Sequence, residues 1–332
     1  MKNLKKYLLI IAFITSLTAC NDEWTNELYE NLVSFKAPVG AEGVYSVYMR
    51  YTKDGEVEYN LPLIVSGSQE LSKDLNVKIA VDNDTLAILN QARFQYRNDL
   101  YFTQLPEQYY EFQSSDCLIQ KGSHTANYKV KFKFANLDLV ERWVLPLTIL
   151  NDPAYKTNNR KGWRKALLQI KPFNNYSGNY SATAMNVYFD GENKSTVTST
   201  RTAYVVDEKS VFFYAGLIEE NAIDRANYKI LMEFGEPVEQ GDGSLRGSLL
   251  LKASNPAIKL EVLNQPTYQI KRTADPTLPY LMREYCTVNL EYKYNDITSI
   301  PTLPIRYKAQ GTMTLERLRN TLIPDEDQAI QW

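Results

Sequence analysis

The feature that most constrains this chain is a strict alternation of apolar and polar side chains over short runs. Tyr128, Val130, Phe132 and Phe134 alternate with Lys129, Lys131 and Lys133. A period of two puts the aromatics and the valine on one face of an extended strand and the ammonium groups on the other, an arrangement a helix cannot produce. Val77, Ile79 and Val81 run the same way against Lys78 and Ala80, as do Val288, Leu290, Tyr292 and Tyr294 against Asn289, Glu291 and Lys293. Turn chemistry punctuates these runs at Lys53-Asp54-Gly55, Asp152-Pro153, Asp190-Gly191 and Gly241-Asp242-Gly243. Many short strands separated by such turns predict an all-β chain built of sandwiches or barrels. Helix is expected in two places only, over residues 84–91 and 315–319.

One short pattern occurs twice. Tyr59-Asn60-Leu61-Pro62-Leu63 and Trp143-Val144-Leu145-Pro146-Leu147 share an aromatic followed two residues later by Leu-Pro-Leu. Proline cannot donate to a strand ladder, so these strands are expected at sheet edges or at bulges. The two aromatics either form a binding pair or pack equivalent strands of one sandwich, and packing is the reading adopted. The chain divides best near residue 173. An apolar run at Ala166-Leu167-Leu168-Gln169-Ile170 reads as a closing strand, and Pro172-Phe173-Asn174-Asn175-Tyr176-Ser177-Gly178 reads as a short linker. Beyond it, an opening strand at Tyr176 to Thr183 and a late strand from Tyr307 to Leu315 with a central glycine suit a curved, barrel-like sheet.

The first residues carry a different signal. Lys2, Lys5 and Lys6 precede an apolar run from Tyr7 to Leu17, too short to span a bilayer as a helix, and Leu17-Thr18-Ala19-Cys20 follows. That ending resembles a lipobox, which implies cleavage before Cys20 and diacylation of its thiol. Asn21-Asp22-Glu23 is similar to the acidic signal that sends some Gram-negative lipoproteins to the outer face of the outer membrane. The expectation is a lipoprotein signal peptide over residues 1–19, a lipidated tether over 20–32, and a mature chain held to the membrane through its N-terminal lipid only.

Composition removes several classes of function. A net charge of -2 provides no basic field for nucleic acid. With Cys20 set aside, Cys117 and Cys286 are too few for a disulfide framework, and two cysteines with a single histidine cannot build a zinc site. They are read as buried free thiols, with one inter-domain bridge as the alternative. His124 lies in a turn without a nucleophile elbow, and no phosphate-binding glycine loop is present. Asp82 and Asp84 could contact calcium, but no twelve-residue ligand loop surrounds them. No cofactor and no metal are expected. Carboxylate chemistry stays open because a glycosidase needs only two acids at a suitable separation, and Glu219, Glu220, Asp224, Glu284 and Glu291 are the candidates.

Leu32-Val33-Ser34-Phe35-Lys36, residues 61–68, residues 81–86 and Leu145-Pro146-Leu147-Thr148-Ile149, following a lipobox, are similar to an N-terminal domain of bacterial surface lipoproteins that also precedes some family-eighteen glycoside hydrolases. Residues 311–317 and 323–328 resemble an uncharacterised domain paired with it. The resemblance implies an Ig-like β-sandwich over residues 33–172 and a β-barrel-like, lipocalin-like unit or second sandwich over 173–332. It also implies a locus near starch-utilisation-type outer-membrane glycan transporters, and it supplies no catalytic residues. The family-eighteen enzymes carry their acids in a separate strand-helix barrel, for which this chain has no alternating region.

An aromatic surplus remains: 24 tyrosines against 12 phenylalanines. Tyrosine can stack an apolar face on a sugar ring while its hydroxyl stays wet. Tyr101, Tyr109, Tyr110, Trp163, Tyr204, Tyr214 and Tyr285 lie in or beside polar stretches and are the candidate ligand contacts, with cross-strand packing as the alternative role. Trp24 and Trp332, near the ends, are expected to serve neither role. The leading functional reading is a non-catalytic glycan-binding accessory protein whose partners are a polysaccharide or oligosaccharide and a transporter complex. An adhesin-like or structural protein-interaction module is the alternative, and a glycoside hydrolase ranks third.

Overall fold

The computed structural model describes residues 29–300 and 302–332. The proposed signal peptide, the Cys20 lipidation site and Trp24 lie outside the described residues. The chain is all-β, with 51% of it in strands and 10% in helices.

Two facing sheets draw on residues 32–173. One runs, in spatial order, Lys156–Thr157, Leu32–Phe35, Glu56–Ser66, Thr125–Lys133 and Tyr110–Phe112. The other runs Tyr45–Arg50, Lys165–Phe173, Arg142–Ile149, Leu75–Val81 and Asp116–Ile119, with Phe102–Gln104 also against Arg142–Ile149. The alternating runs place their apolar sides between the sheets, where Leu61, Leu63, Val77, Val130, Phe132, Leu147 and Leu168 are each fully buried. Such burial stabilises by roughly 1.5–3 kcal/mol per large side chain, before the entropy of ordering is subtracted. Lys129, Lys131 and Lys133 lie on the other side of their strand and pair with Glu58, Glu56 and Glu111.

Both proline motifs lie in central strands, which corrects the edge expectation. The geometry explains why. Leu63 pairs with Phe35, the last residue of its strand, so Pro62 faces Lys36, just past the end of that ladder. Its carbonyl accepts from the Lys36 amide at 2.8 Å, and only the reciprocal donor is missing. Pro146 repeats the arrangement opposite Asp82, whose amide donates at 3.0 Å just beyond the strand Leu75–Val81. Each proline stands where a neighbouring strand stops, which is the one interior position that does not require its N–H.

The expected short helix is real and longer, spanning Asn83–Phe94. Asp82 caps it by accepting from the Thr85 amide at 3.2 Å, and its carboxylate also pairs with Lys165 at 2.7 Å. Through Leu86 the helix packs on Val44, Phe102, Val144 and Leu167 and covers one half of the outer face of the second sheet.

The second unit is an eight-stranded antiparallel barrel. Gly178–Phe189, Thr200–Val205, Ser210–Tyr214, Lys229–Phe234, Leu245–Ala253, Thr267–Ala274, Leu281–Asp296 and Ile305–Asn320 pair in sequence, and the last pairs back onto the first. Inside it, Tyr180, Tyr228, Tyr268, Tyr292 and Tyr294 are at most 2% exposed, so the interior is a packed core. Closure depends on Gly311. Its φ is +135°, and a Cβ there would sit 2.0 Å from the Ala184 carbonyl oxygen, beside the register shift between Ser181 and Ala184. Residues 315–319 belong to this closing strand, which corrects the helix expected there. Met313, Leu315 and Arg317 alternate inward, and the two neighbouring ladders override the helical propensity of Leu-Glu-Arg-Leu-Arg.

Candidate ligand-binding cleft between the two units

The two units meet along two seams. The first surrounds the linker. The Asn174 side chain accepts from the amides of Tyr176 and Ser177, both at 2.8 Å, and donates to the carbonyls of Asp207 at 2.7 Å and Ser210 at 3.1 Å. Arg317 then clamps the same linker from the barrel side, its Nη2 donating to the carbonyls of Asn174 at 2.7 Å and Ser177 at 2.5 Å. Arg50 reaches across to Asp327 at 2.6 Å and Asn175 at 2.9 Å. The second seam packs Val140 against Phe212 and Tyr214, with Lys229 paired to Asp138 at 3.0 Å and Arg225 donating to the Val140 carbonyl at 3.2 Å.

Between the seams lies a cleft of about 430 Å³. Its floor is the half of the outer face of the second sheet that the helix leaves uncovered. Lys171 pairs in register with Tyr48 on one side, and the register that sets Gln169 opposite Val144 brings Lys171 opposite Arg142 on the other. Arg142, Lys171 and Tyr48 therefore form a row across three strands, and Trp332 continues it by stacking on Tyr48 at 4.1 Å with the rings 7° from parallel. Phe173 meets Trp332 edge-on at 4.6 Å. The barrel supplies the other wall, with Asn179, Thr202, Tyr204, Glu220 and Glu316.

The electrostatics of the cleft follow from its partial dryness. Burial holds the Lys171 ammonium below the usual lysine pKa; the Glu42 carboxylate opposes that fall and Arg142 adds to it. Burial also pulls Arg317 down to about 10, and its Nη1 has no partner among the described residues. The Tyr204 hydroxyl donates to Glu220 at 2.7 Å, and burial, followed by that carboxylate, raises its pKa. Tyr204 and Glu220 are the hydroxyl–carboxylate pair of this set, and burial keeps the Tyr204 proton in place.

Of the seven aromatics named from the sequence, Tyr204 lines this cleft and the others do not. Tyr110 and Tyr214, at 8% and 1% exposure, are core residues, which corrects their choice as ligand contacts. Tyr110 turns into the sandwich core, and Tyr214 sits in a strand buried on both faces because its outer side packs on Val140. Tyr101 donates to the Gln95 carbonyl beside the helix, and Tyr109 lies against Trp143 with ring centroids 6.4 Å apart. Trp163 is exposed on the short helix Lys161–Arg164, and Tyr285 donates to Glu316 at 3.3 Å from the barrel wall. Trp332, set aside for its position in the chain, is a wall of the cleft, and Tyr48, Lys171 and Arg142 were missed. Lys171-Pro172-Phe173 and Tyr48-Met49-Arg50 carry a period-two signal, but only cross-strand register joins them.

Four of the five candidate acids, Glu220, Asp224, Glu284 and Glu291, are engaged by other side chains. Glu284 sits between Arg272 at 2.7 Å and Arg319 at 3.2 Å, Glu291 pairs with Lys308 at 2.7 Å, and Asp224 accepts from Thr298. Glu220 is the one of the five that lines the cleft. His124 is exposed in its turn, and Cys117 and Cys286 are buried free thiols.

The model of a domain of unknown function, DUF4973, matches residues 24–153, and a C-terminal-domain family model matches residues 164–314. Among solved structures, a protein of unknown function from Bacteroides ovatus is 42% identical, covering 91% of this chain and 100% of that one with a TM-score of 0.82. A multidomain protein including DUF1735 from the same species is also 42% identical, over 90% of this chain and 99% of the other, with a TM-score of 0.80. An auxiliary nutrient binding protein from Bacteroides thetaiotaomicron is 33% identical over 88% of this chain and 97% of its own, with a TM-score of 0.76. No curated protein matches.

Proposed function

We propose, for a chain that belongs to one family with these Bacteroides proteins, the role of a non-catalytic binding protein that holds a glycan in the cleft between sandwich and barrel. The observation that carries this reading is the cleft itself: a concavity of about 430 Å³ walled by Tyr48, Phe173 and Trp332 and edged by the Tyr204 hydroxyl, Asn179 and the cations Arg142, Lys171, Arg225 and Arg317. Sugar recognition needs an apolar surface for the ring faces and a few converging polar groups for the hydroxyls, and both meet here. Tyr48 and Trp332 keep 38% and 53% of their surface open to a ligand. The packed barrel interior leaves no such room, and the other cavity, about 590 Å³ beside Leu71 and Tyr155 on the sandwich, lacks the stacked aromatic pair and the unpaired cations of the seam. A relative named for auxiliary nutrient binding supports the same class of role.

In this proposal the chain is lipid-anchored through Cys20 at the outer membrane, faces the exterior, and presents captured polysaccharide or oligosaccharide to a neighbouring outer-membrane glycan transporter. The test is binding of the full chain in mild detergent to a panel of polysaccharides, with reducing ends measured in parallel. Saturable binding that falls in Tyr48→Ala and Trp332→Ala, without sugar release, is expected. Absence of any glycan binding sinks the reading, and released sugar replaces it with an enzyme.

A further inference from the structure

The cleft has a charge pattern that its own side chains do not use. The side chains of Arg142 and Lys171, adjacent in the row on its floor, form no ion pair or hydrogen bond among the described residues; the Arg142 guanidinium lies over Phe94 at 5.8 Å and the Lys171 ammonium over Tyr48 at 5.5 Å. The carboxylates of the same cleft, Glu42, Glu141, Glu220 and Glu316, contact neither cation. Glu220 accepts from Tyr204 and from the Thr202 amide, Glu316 pairs with Arg283 at 2.5 Å, and Glu141 accepts from Thr103 at 2.9 Å. Glu42 acts on Lys171 through the field, and its one ion pair is with Arg93 at 3.9 Å. A third cation, Arg317, stands at the end of the row, 5% exposed and 5.7 Å over Trp332, with Nη1 unpartnered. Half-buried cations that touch no carboxylate gain more from an anion that contacts them directly than solvent-exposed ones do.

We infer that the glycan held in this cleft is acidic, and that its carboxylate or sulfate group sits between Arg142 and Lys171 while the adjoining ring lies along Tyr48 and Trp332. The inference rests on the binding role proposed above and names its ligand class. Both anions suit the geometry, since arginine offers a planar fork and lysine a rotatable donor beside it. The neutral hydroxyls of the same sugar then fall toward Tyr204 and Asn179 on the barrel wall.

The test is calorimetric titration of the full chain in mild detergent with oligogalacturonate as the carboxylate probe and chondroitin sulfate oligosaccharides as the sulfate probe. Each is paired with its carboxyl-reduced or desulfated counterpart. At least one acidic probe is expected to bind about tenfold or more tighter than its neutralised form, and to lose about tenfold or more in Lys171→Met and Arg142→Met. Both variants keep an apolar stem, and an unchanged melting temperature separates lost recognition from lost folding. Equal binding of acidic and neutralised probes, or unchanged affinity in the two variants, overturns the anionic subsite while leaving a neutral glycan binder standing. Failure of every glycan, acidic or neutral, overturns both.

Discussion

Asn174→Ala is the substitution whose consequence can be worked out most directly. The side chain is 2% exposed and makes four hydrogen bonds in the linker. Its removal leaves the amides of Tyr176 and Ser177 and the carbonyl of Asp207 without these partners. The Ser210 carbonyl keeps the Val206 amide at 2.9 Å, so it loses little. At a net ~1 kcal/mol per neutral bond, with somewhat more for each buried group left unpaired, the loss is about 3 to 4 kcal/mol. For a unit of this size that corresponds to a fall of about 6 to 16 °C in melting temperature. The assay is thermal unfolding by circular dichroism of the full chain in mild detergent, with Asn174→Asp alongside. Aspartate keeps the two acceptor contacts, loses both donors and sets a charge against two carbonyls, so it is expected to be destabilised as well. Because the same linker fixes the angle between the cleft walls, Asn174→Ala should also weaken glycan binding at temperatures where it remains folded. A variant melting within about 2 °C of the parent would refute the account of the linker as a fully bonded joint.

Gly311→Ala is expected to be more severe than an ordinary surface change, because both the positive φ and the 2.0 Å approach to the Ala184 carbonyl forbid a Cβ; loss of soluble folded protein is the outcome to look for, and a near-normal melt contradicts it. Asp275 is held below the usual carboxylate pKa, first by the Leu278 and Thr277 amides and then by Arg283. Its contribution is complete above the unfolded value of about 3.9 and disappears as pH falls through the lower folded value. The melting difference between parent and Asp275→Asn should therefore be constant from neutral pH down to about 4 and shrink below it. Burial pushes the Cys117 and Cys286 thiols up to about 11 and about 12, so neither should alkylate at pH 8 until the chain is unfolded, which mass mapping of labelled peptides can check.

Period-two runs made the all-β character legible wherever one strand face meets a core and the other meets water, as in Tyr128 to Phe134 and Val288 to Tyr294. The signal weakened where both faces are covered. Ser210–Tyr214 is buried at every position, so nothing local separates Val211 and Phe213, which pack in the barrel, from Phe212 and Tyr214, which pack on Val140. Proline chemistry was read correctly as a missing donor, yet the place where a neighbouring strand ends is a tertiary fact, and so Pro62 and Pro146 were assigned to edges or bulges. The site was the least legible part. Counting aromatics says which side chains could stack on a sugar but not which way they point. Arg142, Lys171, Tyr48 and Trp332 become neighbours only through the register of three strands and the return of residues 330–332 across the seam.

The closure of the barrel through Gly178–Phe189 and Ile305–Asn320 has a kinetic consequence. Every other pairing around that wall joins strands close in sequence, so hairpins can form one after another as the chain emerges. The final pairing must wait for the strand farthest away and carries the largest loop-closure entropy of the unit. Until then Gly178–Phe189 presents an open edge, and a second chain at the same stage can supply its missing neighbour. The sandwich has long-range pairings of its own, Leu32–Phe35 with Lys156–Thr157 and Tyr45–Arg50 with Lys165–Phe173, but all of its strands lie within residues 32–173 and are made before the barrel begins. The sandwich can be complete while the barrel is still an unsealed ribbon, and the interval before Ile305–Asn320 arrives is when the chain is most exposed to swapping and aggregation.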